Sequence, residues 1–165
     1  MNVLMLCTGN AARSVMAGAA LAARRPDLSI ETAGTLAVDG LPISWRTRAA
    51  FAAVDLAVPR HASKQATMTH LARADVIIGA APEHVEWVRR NHPAVAGRTA
   101  TLVHLAAALG SPPERLPDRL AALSLADHPL TNDEEIVDPG GGEVEAFIAA
   151  ARHVVSLIGP LAALL

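Results

Sequence analysis

The chain opens on an unbroken apolar run, Val3-Leu4-Met5-Leu6, in which polar and apolar positions do not alternate. A short run of that kind predicts a strand covered on both faces. Comparable strand-like runs recur near Ser29–Thr32, Val76–Gly79 and Thr99–Leu102. Between them the pattern turns helical, near Ser14–Arg25, Arg46–Ala53, Thr67–Arg73 and Pro82–Asn91. Ala and Leu dominate the first of these helices, and Pro82 suits an opening helical position, where its missing N–H costs nothing. The clearest period comes last. Val144, Phe147, Ile148, Ala151, Val155, Ile158 and Leu161 recur mostly at steps of three and four, which predicts a helix with one apolar stripe turned to the core.

Strand and helix in alternation predict a parallel sheet with helices on both faces. The expected fold is a single three-layer α/β domain over residues 1–165, with a four-stranded parallel sheet and a phosphate loop after the first strand. In such sheets ligands bind beyond the carboxyl ends of the strands, at a switch point. The stretch Gly110–Pro117, with its three prolines, reads as a loop before a short helix near Asp118–Leu125. The remainder of the chain is too short for a core of its own, so no domain boundary is placed there.

Composition narrows the function classes. Of 165 residues 52% are apolar, and the net charge is −2. No basic face recommends nucleic acid, and no polybasic cluster recommends an anionic membrane. The unbroken apolar stretches fall short of the roughly 20 residues that span a bilayer. The N-terminus has no charged n-region and enters a strand at once, unlike a signal peptide. One cysteine excludes an internal disulfide and suits a reducing compartment, so the expected location is cytoplasmic.

That cysteine carries the candidate chemistry. The run Cys7-Thr8-Gly9-Asn10-Ala11-Ala12-Arg13-Ser14 joins the first strand to the first helix. On a loop of small residues the N–H groups of Thr8, Gly9, Asn10, Ala11, Ala12 and Arg13 can turn inward, and the helix dipole adds positive potential there. Such a loop cradles a tetrahedral oxyanion. Arg13 adds a planar fork of donors that grips two oxygens at once. The same field favours a thiolate at Cys7, whereas a lone cysteine elsewhere is most often a small buried hydrophobe. Ser14 can donate its hydroxyl to that sulfur or cap the helix; Asn10 can brace the loop or simply tolerate left-handed backbone. The histidines at 70, 84, 92, 104, 128 and 153 show no metal-ligand spacing and read as surface or packing residues, so no metal is expected. No nucleotide-binding fingerprint is present, and no cofactor is indicated.

The segment Val3–Ser14 resembles the signature of the low-molecular-weight protein tyrosine phosphatases, whose fold and loop are shared with thioredoxin-type arsenate reductases. Glu31-Thr32-Ala33-Gly34-Thr35, Pro59-Arg60-His61-Ala62-Ser63-Lys64-Gln65, Ala74-Asp75-Val76-Ile77-Ile78 and Glu83-His84 are similar to later family segments, in the same order. Asp138-Pro139 resembles the late Asp-Pro that carries the family's general acid; read alone, it is more commonly a turn opener before a glycine run. The resemblance implies a phosphatase acting on phosphotyrosine in proteins or on small aryl phosphates, with Cys7 as nucleophile, Arg13 as anion clamp and Asp138 as acid. It places His61 beside the cradle and leaves Trp45 either on the rim of the site or packed. Three departures bear on substrate. Val15 follows Ser14, where the phosphatases usually carry Pro and the reductases Gln. Ala12 stands where many phosphatases place a second loop cysteine. Gly140-Gly141-Gly142 replaces the aromatics that often wall the substrate ring. The alternatives are an arsenate reductase using an external thiol and a module that binds a phosphorylated partner without turnover. The oligomeric state is not specified.

Overall fold

Strand β1 (Asn2–Cys7) sends Val3, Met5 and Cys7 to one face of the sheet and Leu4 and Leu6 to the other, as the two-residue period of a strand requires. All five are buried, which explains why the run shows no polar alternation. The computed structural model describes residues 1–165. After β1 come α1 (Arg13–Arg24), β2 (Ser29–Gly34), α2 (Trp45–Ala53), α3 (Met68–Arg73), β3 (Val76–Gly79) and α4 (Pro82–Asn91). A 3-10 turn (Pro93–Arg98) then leads into β4 (Thr99–Thr101), α5 (Leu102–Ala108), α6 (Leu116–Ala122) and α7 (Val144–Leu164).

The four strands are parallel and lie in the order β2-β1-β3-β4. The larger core joins Val3, Met5 and Cys7 to residues of α1, α2, α5, α6 and α7. The smaller one joins Leu4, Leu6 and Ile77 to Leu71 of α3 and Val88 of α4. The sheet is thus the middle of three layers. Burying each of the large side chains here contributes on the order of 1.5–3 kcal/mol. Because β2 and β3 flank β1 on opposite sides, the chain switches direction beside the carboxyl end of β1, where Cys7 sits.

Several boundaries differ from the sequence expectation. β4 ends at Thr101, and Leu102 already opens α5, an unpredicted helix capped by the Thr101 hydroxyl, which accepts from the His104 N–H at 3.1 Å. α6 begins at Leu116, with Pro117 inside its first turn rather than in the preceding loop. Within α7 the buried position is Val154 and Val155 is only partly covered, because the helix is flanked by α1, α2 and α5 and buries a broader stripe. By length and composition α7 could cross a bilayer, with a mean hydropathy of 1.7 over its most apolar stretch, although it carries no unbroken apolar run of that length. Its buried face instead lies in the larger core.

Candidate active site

The loop after β1 is held from several sides. Asn10 is in the left-handed region (φ 51°), which asparagine tolerates, and its side chain is fully buried. Its amide donates to Ser14 Oγ at 3.0 Å and Thr32 Oγ1 at 2.9 Å, while its Oδ1 accepts from the Lys64 N–H at 3.0 Å. Its carbonyl lies 2.7 Å from His61 Nε2. Thr47, buried on α2, donates its hydroxyl to the Ala11 carbonyl at 3.1 Å. Gly34 closes the back of the loop: a Cβ there would collide with the Thr8 carbonyl oxygen, which explains a glycine at the end of β2.

Inside this frame the loop keeps its donors free. No backbone N–H from Thr8 to Ala12 donates a hydrogen bond within the protein. α1 starts at Arg13 without a side-chain cap, so the positive end of its dipole adds to the same place. Cys7 Sγ is buried and 3.0 Å from Ser14 Oγ. Arg13 is 2% exposed; its Nη2 donates to Asp138 Oδ2 at 2.6 Å and Thr8 Oγ1 at 3.2 Å, and its Nη1 donates to the Ile136 carbonyl at 3.3 Å. Glu83 Oε1 stands 3.9 Å from the same guanidinium. Cys7, Gly9, Ala12, Arg13, Ser44 and Asp138 share the lining of one open cleft of about 350 Å³. An anion entering it meets unpaired amides and a buried cation, and it competes with the Asp138 carboxylate for the guanidinium.

Trp45 follows Ser44 and is 62% exposed, with the Arg46 guanidinium 5.1 Å from its ring centre, so it does not pack in the core. His84, expected as a surface or packing residue and part of the family-like pair Glu83-His84, proves to belong to the site. His84 is wholly buried, and its Nε2 is 3.1 Å from Thr8 Oγ1. Burial, and then the nearby Arg13 charge, lower its pKa to about 4, so the imidazole beneath the loop is neutral near pH 7. The available signal was its place in the first turn of α4, just past the carboxyl end of β3. Thr47 gave no signal, since only the folding of α2 against the loop brings it to Ala11.

The comparisons with known proteins agree with this geometry. The family model described as low molecular weight phosphotyrosine protein phosphatase matches residues 2–121. A protein-arginine-phosphatase of Geobacillus stearothermophilus is 25% identical over 161 residues, covering 97% of this chain and 93% of that one. A probable low molecular weight protein-tyrosine-phosphatase, EpsP, of Ralstonia nicotianae is 30% identical over 95 residues, covering 58% of this chain and 66% of that one. Among solved structures, the YwlE arginine phosphatase from Geobacillus stearothermophilus superposes with a TM-score of 0.78 at 24% identity, covering 98% of this chain and 90% of that chain, a likeness of fold. With the family model spanning β1, the cysteine loop and all four strands, the chain belongs to the low molecular weight phosphotyrosine protein phosphatase family.

Proposed function

We propose that the chain removes phosphate from protein side chains, phosphotyrosine foremost, through a phosphocysteine at Cys7. The observation that carries this reading is the convergence of Cys7, Arg13 and Asp138 on one cleft whose loop amides are unpaired. The sulfur attacks phosphorus in line; the S–P bond forms as the P–O bond to the leaving oxygen breaks. Arg13 and the amides of Thr8, Gly9, Asn10, Ala11 and Ala12 hold the equatorial oxygens, where charge persists through the transition state. Asp138, displaced from Arg13 by the incoming dianion, carries the proton that the leaving oxygen takes. Water then attacks phosphorus, Asp138 takes its proton, and the S–P bond breaks to restore the thiolate. Ser14 supports that thiolate by hydrogen bonding. His61 positions the loop through the Asn10 carbonyl, and exposed Trp45 offers a flat apolar face at the rim. The lone thiol fits a reducing, cytoplasmic setting.

A second reading is phosphoarginine, favoured by the end-to-end match to a protein-arginine-phosphatase and by glycines at 140–142 where no aromatic walls a ring. There the same steps break a P–N bond. Arsenate reduction would need an external thiol, since no second cysteine exists to relay the oxidation. One set of assays separates the three: peptides bearing phosphotyrosine or phosphoarginine, each with quenched-flow detection of phosphate on Cys7, and arsenate with glutathione, read as arsenite released. A kcat/KM at least tenfold higher for phosphotyrosine supports the first reading, and the reverse order supports the second. Arsenite release without hydrolysis of either phosphopeptide overturns both, as does stoichiometric binding without turnover.

A further inference from the structure

Outside the cleft, the fold gathers His104, His128 and Glu134, side chains not used by the proposed chemistry. Their ligand atoms all lie within 4.8 Å of one another. His104 sits in the first turn of α5; His128 and Glu134 lie in the segment that leads to Asp138. His128 Nε2 is 2.8 Å from Glu134 Oε1, and the two imidazoles stack with centres 3.7 Å apart. Glu134 is 6% exposed, and its second oxygen accepts from the Thr101 hydroxyl at 2.6 Å. His104 Nε2 is buried and has no hydrogen-bond partner.

We propose that His104, His128 and Glu134 form a site for a divalent transition cation of the zinc class. Two imidazoles and a carboxylate are a borderline donor set that suits Zn²⁺, Co²⁺ or Ni²⁺ and disfavours Mg²⁺ and Ca²⁺, which prefer oxygen alone. Three protein ligands leave a fourth position for water. Bound at about 2.0–2.2 Å, the cation draws the donors to within roughly 3.5 Å of each other, so the stacked rings open and His104 Nε2 gains the partner it lacks. The Thr101 hydroxyl on Glu134 is the kind of outer contact that orients a ligating carboxylate. The arrangement also has a consequence for the cleft. Such a cation ties α5 to the segment 128–134. Two residues beyond, the Ile136 N–H donates to the Ala80 carbonyl and its own carbonyl accepts from Arg13, just ahead of Asp138.

Cys7 is a competing ligand for soft cations, so the test separates it. Co²⁺ is titrated into the full chain, into Cys7→Ser, and into Cys7→Ser combined with His104→Gln or with His128→Gln, reading visible absorption and stoichiometry; circular dichroism without metal checks folding. One Co²⁺ per chain, retained in Cys7→Ser and weakened at least tenfold in both combined variants, supports the site. Binding lost in Cys7→Ser alone, or unchanged in the combined variants, overturns it. Should a histidine variant not fold, Zn²⁺-soaked crystals of the wild-type chain decide. An anomalous peak among the three side chains supports the site, and no peak there overturns it.

Discussion

Residues 7–14 and residues 137–140 both contribute to the lining of the cleft, and they are held in different ways. In the first, Asn10, Arg13 and Ser14 are buried, and the Asn10 side chain bonds to Ser14, Thr32 and the Lys64 N–H. In the second, the Asp138 side chain is 52% exposed and Val137 is 71% exposed. Backbone bonds at Ile136, the Gly140 N–H on Asp138 Oδ1 at 3.0 Å and the contact with Arg13 are what place it. The anion hole is therefore built before substrate arrives, whereas the proton carrier rests on the cation that substrate will claim. Preorganised donors cost no rearrangement during reaction, while a carboxyl that gives and takes a proton must be released to act.

The strongest way to break this contrast is Cys7→Ser. If the hole is preorganised and the sulfur alone is the nucleophile, kcat on a phosphotyrosine peptide falls by about 10⁴ or more. Inorganic phosphate affinity, measured by calorimetry, stays within a few-fold. A variant that keeps a tenth of the activity, or that loses anion binding as well, removes the division of labour. Asp138→Asn comes next. Losing the general acid costs about 10²–10⁴ in the rate of Cys7 phosphorylation, read as kcat/KM, for a poorly leaving alcohol and far less for p-nitrophenyl phosphate. Because the amide no longer competes as an anion for Arg13, inorganic phosphate binds more tightly. Equal slowing of Cys7 phosphorylation on both substrates would mean that Asp138 is not the acid for the leaving oxygen.

The same contrast explains what could be read from the chain. The cradle is contiguous: strand, Cys7, small residues, Arg13 and helix succeed one another without interruption, so local pattern and spacing suffice. Asp138 lies 125 residues from Arg13, and only resemblance to a family joins them in sequence. α5 escaped because it follows β4 with no intervening loop and is only 7 residues long. Thr47 and the His104–His128–Glu134 group leave no local mark in the sequence, for one reason. Each is brought to its partners by packing between elements, which no hydrophobic period records.

His84 gives a pH test of the rigid half. The unfolded chain takes a proton on this imidazole near pH 6.5 and the folded chain only near about 4. Between those values the unfolded state binds more protons, so stability falls as pH falls, and the full contribution is present above pH 6.5. The difference amounts to about 3 kcal/mol once the pH is below 4. Urea titrations at pH 7 and pH 4.5 measure it against His84→Gln, which lacks the proton site. An identical pH slope in the two proteins would show that acid acts elsewhere.

The smallest effect expected concerns the rim. Trp45 is exposed beside Ser44, and its ring is already faced by Arg46. An aromatic contact with a substrate ring is worth roughly 0.5–1.5 kcal/mol, so Trp45→Ala should raise KM for a phosphotyrosine peptide by about two- to tenfold. The value of kcat should hold, because the residue touches neither the phosphorus nor the leaving oxygen. An aryl group is what the ring stacks on, so an alkyl phosphate should show no change in KM. If instead kcat drops with KM unchanged, Trp45 acts by positioning α2 and, through Thr47, the Ala11 carbonyl of the cradle. That outcome would move the boundary of the preorganised half outward to include the first turn of α2.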